Sequence, residues 1–233
     1  MSSTRLAVLG DHDIAYETHR AIDNTLTLMP EEVDAGWVAT DDPAGARGAD
    51  ALWIAPGSPY RDDGAVLGAI ESARTRGTPI LGTCGGCQYM LLEFARNVAG
   101  IGDAGHQEID PAAAEPVIAG LACSLVGQCR EIRPVAGTRL AGLTGEAPFS
   151  GFHFCSFGLN DAYRERLVSA GLVIAAYADD AGVEAVELPG HPFYLATLFQ
   201  PQMESLETGV LHPIVAALVG AARVAGAPSS SVA

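Results

Sequence analysis

The sequence has 233 residues, of which 48% are hydrophobic, and a formal net charge of −15 at pH 7. A chain of this length can bury one large core, so we expect a single domain over residues 1–226 and a flexible tail of small and polar residues over 227–233. The negative charge argues against nucleic acid or an anionic membrane as a partner, because phosphate groups would be repelled.

The first hundred residues alternate short apolar segments with longer segments of helical period. The short segments predict strands, and the longer ones predict helices. The predicted strands cover residues 5–10, 33–40, 51–57 and 78–83, and the predicted helices cover residues 16–26, 64–77 and 88–100. Such alternation is typical of an α/β protein with a mostly parallel central sheet.

The remainder of the chain is less regular at first. Residues 104–151 are rich in Gly, Pro and Ala, which indicates a loop-rich elaboration with short strand-like pieces. A helix is predicted over residues 160–171. Strands are predicted over 172–178, 182–188 and 193–199, and a last helix over 212–226.

The five cysteines are an odd number in a chain without an apolar leader or an apolar run of eighteen residues. We therefore expect a cytoplasmic protein with free thiols and no disulfide framework. Cys84 and Cys87 have the spacing of a redox pair or of half a zinc site, but no second pair at zinc spacing follows. No metal and no cofactor are expected. A small-molecule substrate is the expected partner, and a homo-oligomer is possible.

Cys84 has the sequence setting of a nucleophile elbow. It follows an apolar strand and precedes Gly85, Gly86 and a predicted helix, whose N-terminal partial charge favours the reactive thiolate. The amide of Gly85 would be one oxyanion donor, and the amide of Ser58, after Gly57 at the end of the preceding strand, would be the second. A buried cysteine that serves only packing is the alternative.

The segments that carry this motif also resemble a known family. Residues 52–108, 159–174, 186–202 and 212–219 are similar to the class I glutamine amidotransferase domain of CTP synthase, so the likeness covers nearly the whole chain. The motifs GTCGG, CSFGLN and TLFQPQ resemble more closely the stand-alone CTP synthase C-terminal region-related (seleno)proteins. The resemblance implies a three-layer, flavodoxin-like α/β fold.

The resemblance also implies a site that departs from the family pattern. The family carries a His-Pro-Glu motif as base and orienter, and this sequence has Gln200-Pro201-Gln202 at that place. A glutamine cannot accept and release a proton near neutral pH, so ordinary glutaminase activity is not expected. Glu108 stands where the family contacts the substrate amine, and Gln88 matches a pocket residue.

The segment GFHFCSFGLN lacks the arginine that grips the substrate carboxylate in the family. It contains His153 and Cys155 instead. Our hypothesis is that His153 replaces the missing base or that Cys155 faces Cys84 as a second thiol, with a structural histidine as the alternative. The functions considered are cysteine-dependent hydrolysis or group transfer on a small amine-bearing substrate, non-catalytic ligand binding, and thiol redox chemistry by Cys84 with Cys87 or Cys155.

Overall fold

A nine-stranded sheet forms the centre of the structure, a computed structural model that describes residues 3–225. Its strand order is β2-β1-β3-β4-β12-β11-β10-β7-β8, and a second sheet has the order β5-β6-β9. The strands are β1 Thr4–Leu9, β2 Val33–Val38, β3 Ala51–Ile54, β4 Ile80–Thr83, β5 Ala104–His106, β6 Glu115–Gly120, β7 Gln128–Pro134, β8 Phe149–His153, β9 Phe157–Leu159, β10 Val173–Ala178, β11 Gly182–Glu187 and β12 Tyr194–Thr197. The helices are α1 Glu17–Thr27, α2 Asp63–Arg76, α3 Gly85–Asn97, α4 Arg139–Thr144, α5 Asp161–Ser169, α6 Pro201–Thr208 and α7 Pro213–Ala225.

The five strands β2, β1, β3, β4 and β12 run parallel to one another, and β11, β10, β7 and β8 continue the sheet in antiparallel pairs. The predicted α/β fold with a mixed, mostly parallel sheet is confirmed. Strand β4 lies between β3 and β12, so three loops that matter below leave the same edge of the sheet.

Alternate residues of the parallel strands enter two different cores. In β1, Leu6 and Val8 pack with α1 and α7, whereas Ala7 and Leu9 pack with α2 and α3. Strand β3 alternates in the same way. Because the period of a strand is two, both faces of these strands are apolar and both must be covered. This arrangement gives the three layers that the sequence resemblance implies.

A buried ion pair joins the two helices beside the site. The guanidinium of Arg74 in α2 donates to both carboxylate oxygens of Glu93 in α3, at 2.9 and 2.6 Å, and Glu93 is fully buried. The hydrogen bonds to Glu93 raise the pKa of Arg74. Helix α2 ends at Gly77 with φ 73°, as the sequence predicts. The pair therefore fixes α3, the helix that follows Cys84.

Two parts of the chain are more regular than the sequence predicts. Residues 104–151 contain β5, β6, β7, the start of β8 and the whole of α4, rather than mainly loops. The sequences of β6 and β7, EPVIAG and QCREIRP, contain few strongly apolar residues, so their sequence signal is weak. Helix α6 was not predicted, although Pro201 at its first position is a standard start signal. The tail predicted over 227–233 lies outside the described residues.

Within residues 3–225, no single helix has the length and apolar composition that a membrane crossing requires. Helices α6 and α7 meet that requirement only as a pair, with a bend of 106° between them.

Candidate functional site

Cys84 occupies a sharp turn between β4 and α3. Its φ is 52° and its ψ is −110°, and within residues 3–225 it is the one non-glycine residue with positive φ. Its amide donates to the Thr197 carbonyl of β12 at 2.9 Å. A Cβ at Gly86 would lie 2.2 Å from the Ile54 carbonyl oxygen, so only glycine fits there. The chain can adopt this turn because the two residues that follow Cys84 are glycines.

Backbone amides converge on the start of α3. A Cβ added to Gly85 would lie 3.0 Å from the Ser58 amide nitrogen and 3.3 Å from that of Gly57, so the two loops are in close contact. The amide of Gly85, the first of α3, has no acceptor within the helix. Gly57 has φ 108°, which favours glycine. The amides of Gly57, Ser58 and Gly85 thus lie together beside Cys84.

His19 contacts the loop that contains Pro56, Gly57 and Ser58. Its Nε2 lies 3.0 Å from the Pro56 carbonyl, and its Nδ1 accepts from the Asp13 amide at 2.9 Å. The proton must therefore be on Nε2, which donates to Pro56. Burial lowers the pKa of His19, in agreement with a neutral ring. His19 is not among the site residues that the sequence predicts.

A cavity of about 260 Å³ opens over the Cys84 thiol. Seven of the ten predicted site residues line it: Gly57, Ser58, Cys84, Gln88, Glu108, Cys155 and Gln200. Gly85, His153 and Gln202 do not. Aromatic side chains from Tyr16, Phe154 and Phe157 contribute to the wall. The structure therefore gathers most of the predicted residues in one place, and their roles stay predictions.

A chain of hydrogen bonds holds one side of the cavity. The Ser58 hydroxyl lies 3.1 Å from a Glu108 carboxylate oxygen and 3.2 Å from Oε1 of Gln88. His106 Nδ1 accepts from the Glu108 amide, so its Nε2 donates to Gln88 Oε1 at 3.0 Å. The Gln88 amide group donates to the Phe157 carbonyl at 2.8 Å. Burial lowers the pKa of His106 to about 4 and raises the pKa of Glu108.

Two thiols lie side by side in the cavity wall. Cys84 and Cys155 are 6% and 7% exposed, and Cys84 Sγ lies 3.7 Å from the Phe154 carbonyl oxygen. A hydrogen bond to Cys84, together with burial, raises the pKa of the Cys155 thiol well above its ordinary value. Cys87 is 3% exposed and does not line the cavity, and burial also raises its pKa. All five cysteines are free thiols.

His153 does not reach this cavity, contrary to its expected place as a base beside the thiol. Its side chain is fully buried, and its Nε2 lies 2.9 and 3.0 Å from the two carboxylate oxygens of Glu184 in β11. Its Nδ1 is buried without a partner. The fold brings His153 of β8 and Glu184 of β11 together, although they are 31 positions apart and their strands are not neighbours in the sheet. The carboxylate in the apolar segment GVEAVEL was the only sequence signal of this pair.

Gln200 and Gln202 bond to each other. The amide nitrogen of Gln202 donates to Oε1 of Gln200 at 2.7 Å, and both side chains are buried. The nitrogen of Gln200 and the oxygen of Gln202 have no partner. Gln200 lines the Cys84 cavity and also a second cavity of about 330 Å³ on the other side. It forms part of the wall between them.

Comparison with known proteins agrees with this geometry. A family profile described as glutamine amidotransferase class-I matches residues 15–199. CTP synthase from Nocardioides sp. is 38% identical over 82% of this chain, and CTP synthase from Pyrobaculum calidifontis is 36% identical over 75%. These matches cover only 37% and 35% of the two synthases, so the chain spans little more than a third of their length.

Solved structures share the fold. The glutaminase domain of Trypanosoma brucei CTP synthase, solved with bound acivicin, has a TM-score of 0.82 at 23% identity and covers 95% of this chain and 94% of its own. A glutamine amidotransferase from Thermotoga maritima has a TM-score of 0.55 at 12% identity, with 95% of this chain and 96% of its own covered. At these identities the likeness supports the fold alone.

Proposed function

Because the chain belongs to the class I glutamine amidotransferase family, we propose that it uses Cys84 as the nucleophile for hydrolysis or group transfer on a small substrate that carries an amine. The observation that carries the proposal is the turn at Cys84, where a thiol with φ 52° faces a cavity beside three backbone amides. Such a thiol at a helix N-terminus is set up for attack on a carbonyl carbon.

The amides would act on the oxyanion. When the Cys84 sulfur bonds to the carbonyl carbon, negative charge develops on the carbonyl oxygen, and preorganised donors at Gly57, Ser58 and Gly85 stabilise it. The leaving group then departs and a thioester remains on Cys84. Its acyl group passes to water in hydrolysis or to a second acceptor in group transfer.

The cavity favours an amine over a carboxylate. The chain contains thirteen arginines and no lysine, and within the described residues no arginine lines the cavity. Glu108 is the one carboxylate in the lining, and its side chain is paired only with the Ser58 hydroxyl. An exposed carboxylate in a cavity lining, without a paired cation, attracts a ligand that supplies one. The substrate should therefore carry an ammonium group and no free carboxylate near it.

The two glutamines bear on the fate of the thioester. Gln200 lines the cavity where the family carries the histidine of His-Pro-Glu, and a glutamine cannot take a proton from water. Hydrolysis of the thioester is then slow, and a stronger nucleophile such as an amine or thiol is the better acceptor. We therefore expect transfer to exceed hydrolysis, and little glutaminase activity.

A matched pair of thioesters tests the proposal. The reduced protein would be incubated with acetylthiocholine, which is cationic, and with its uncharged isostere S-(3,3-dimethylbutyl) thioacetate. We expect acetyl-Cys84 with both, formed about tenfold faster with the cationic ester because of Glu108. Intact mass and fragmentation of the tryptic peptide 77–96 locate the group, Cys84→Ala is the blank, and Cys87→Ser retains the reaction.

A protein that only binds ligands would behave differently. Cys84 would take up no acetyl group from either ester, although small alkylating reagents would still modify it. That result would reject the nucleophile and favour a binding module, the alternative in which Gln200 and Gln202 hold a ligand or each other.

A further inference from the structure

A second thiol beside a nucleophile has chemistry that acyl transfer does not need. Cys155 lines the same cavity as Cys84, is 7% exposed, and belongs to the same buried cluster. It lies just beyond β8, in a segment distant in sequence from α3, and the Phe154 carbonyl before it also contacts the Cys84 sulfur. That contact brings the backbone next to Cys155 against the Cys84 sulfur, an arrangement from which a disulfide can close.

We propose that Cys84 and Cys155 form a peroxide-responsive dithiol, in which Cys84 is oxidised by a small hydroperoxide and Cys155 resolves the product as a reversible disulfide. This inference stands on the thiol pair and is independent of the proposed acyl chemistry. The cavity of about 260 Å³ gives a small hydroperoxide access to Cys84.

The steps balance without a metal or cofactor. The Cys84 thiolate attacks one peroxide oxygen, the S–O bond forms as the O–O bond breaks, and the released alkoxide takes a proton from water. The Cys155 sulfur then attacks the sulfur of the Cys84 sulfenic acid, and the hydroxyl leaves as water with the Cys155 proton. Two thiols are oxidised by two electrons, and the hydroperoxide is reduced to an alcohol and water. A small thiol reductant restores the pair by two exchanges.

The other cysteines are less suited to resolve Cys84. Cys87 lies on α3 beneath the turn and outside the cavity lining, so its sulfur does not face the same space. Cys123 and Cys129 are exposed and lie outside the lining of this cavity. Cys155 is thus the thiol that the fold brings to Cys84. In the disulfide form Cys84 is no longer a nucleophile, and it is also protected from irreversible oxidation.

The experiment uses the full chain in a Cys123→Ser, Cys129→Ser background, which removes the exposed thiols that would link two molecules. Reduced protein would receive one equivalent of hydrogen peroxide, then an alkylating agent, then trypsin without reductant. The absence of lysine makes the products simple: Cys84 and Cys87 fall in peptide 77–96, and Cys155 falls in peptide 140–164. A bond to Cys155 therefore joins two peptides, and a bond to Cys87 stays within one.

We expect most of the protein to give the cross-linked pair of peptides, and dithiothreitol to reverse it. Cys87→Ser should give the same yield, whereas Cys155→Ser should lose the cross-link and accumulate a Cys84 sulfenic acid that dimedone traps. Two results would overturn the proposal: peroxide that leaves both thiols alkylatable, or a bond from Cys84 to Cys87 in place of Cys155. Either can occur while Cys84 is still acetylated by a thioester, so the two proposals fail separately.

Discussion

The side chains of Gln200 and Gln202 hydrogen-bond to each other at 2.7 Å, and Gln200 lines the cavity over the Cys84 thiol. The side-chain nitrogen of Gln200 and the side-chain oxygen of Gln202 remain buried and unpaired. Unpaired buried polar groups cost about 1–3 kcal/mol each, so this pair is a local weakness as well as a chemical one.

Replacing both glutamines should restore proton transfer. In Gln200→His, Gln202→Glu, an imidazole would line the Cys84 cavity and a carboxylate would orient it. We expect hydrolysis of acetyl-Cys84 to accelerate by roughly 10²–10⁴-fold, the usual contribution of a general base. The decay of the acetylated protein, followed by intact mass after removal of the ester, measures this rate.

The single variants are the controls. Gln200→His alone should give a smaller gain, because nothing orients the ring. Gln202→Glu alone buries an unpaired carboxylate and should lower the free energy of unfolding by roughly 3–5 kcal/mol. Equal decay rates in the double variant and the wild type would contradict the proposed place of these residues.

The charge preference of the cavity should depend on Glu108. We expect 2-aminoethyl methanethiosulfonate to modify Cys84 faster than the 2-sulfonatoethyl reagent, because one is cationic and the other anionic. Glu108→Gln should reduce that ratio by about tenfold. The ratio cancels changes in the reactivity of the thiol itself, since both reagents attack the same sulfur.

The same ratio should depend on pH. Burial raises the pKa of Glu108 above its ordinary value of 4.5, so the carboxylate takes up a proton as the pH falls through the raised value. The preference for the cationic reagent should therefore fall with it in the wild type and stay flat in Glu108→Gln. A ratio that changes equally in both proteins would assign the preference to another group.

The contact between Gly85 and the Ser58 loop predicts that a substitution at Gly85 slows acetylation of Cys84 without unfolding the protein. A methyl group at Gly85 would meet the Ser58 amide nitrogen at 3.0 Å and force the loops apart. Gly85→Ala should lower the rate of Cys84 acetylation by about 10²–10³-fold, the effect of losing an oxyanion donor. The protein should remain folded, because the shift needed is a few tenths of an ångström.

Gly68→Ala is the matched control for this substitution. Gly68 lies on the exposed side of α2, and no atom lies within 4 Å of a Cβ placed there. Its replacement should raise the free energy of unfolding by up to about 1 kcal/mol, the helix preference of alanine over glycine, and leave acetylation unchanged. A Gly85→Ala protein that acetylates at the wild-type rate would argue against the amide cradle.

The buried histidines predict a loss of stability in acid. Burial lowers the pKa of His106 to about 4, whereas the unfolded chain binds that proton near pH 6.5. Between these values the unfolded state holds more protons, so the free energy of unfolding falls as the pH falls, by up to about 1.4 kcal/mol per pH unit for one histidine. Urea unfolding at pH 7, 6 and 5 measures the slope.

Two variants separate the contributions of His106 and His212 to this pH dependence. His106→Gln can keep the hydrogen bonds to the Glu108 amide and to Gln88. It should reduce the pH slope of the free energy of unfolding by up to about 1.4 kcal/mol per pH unit, which corresponds to one proton. His212→Gln should do the same, because burial also lowers the pKa of His212 to about 4, and the two effects should add. Slopes that match the wild type would show that these rings are already protonated when folded.

The sequence predicts the turn at Cys84 well because its signals are local. Gly85 and Gly86 are required because other backbone segments approach them within a few ångströms. The three consecutive residues Cys84, Gly85 and Gly86 are enough to indicate that requirement. The cavity at the strand ends also follows from the parallel strands, which is why Ser58 could be predicted to lie beside Cys84. Gln88 and Glu108 were expected there because the family resemblance implies it.

The place of His153 could not be predicted in the same way. Whether a histidine faces a cavity or a carboxylate depends on which distant residue packs against it, and Glu184 is 31 residues further along the chain. The position of Gln202 was also hard to predict. Its side chain lies outside the cavity and is connected to it by the hydrogen bond to Gln200. Contacts between segments that are distant in sequence determine where His153 and Gln202 lie, and these contacts cannot be inferred from one segment alone.

The backbone of Cys84 also bears on whether the protein has a use for its thiol. A non-glycine residue with φ 52° and ψ −110° costs the fold about 1–3 kcal/mol, which glycine in the same place would recover. One substitution would thus give a more stable chain without a nucleophile. The strain at this turn is therefore a cost in stability that accompanies the placing of the sulfur at the cavity.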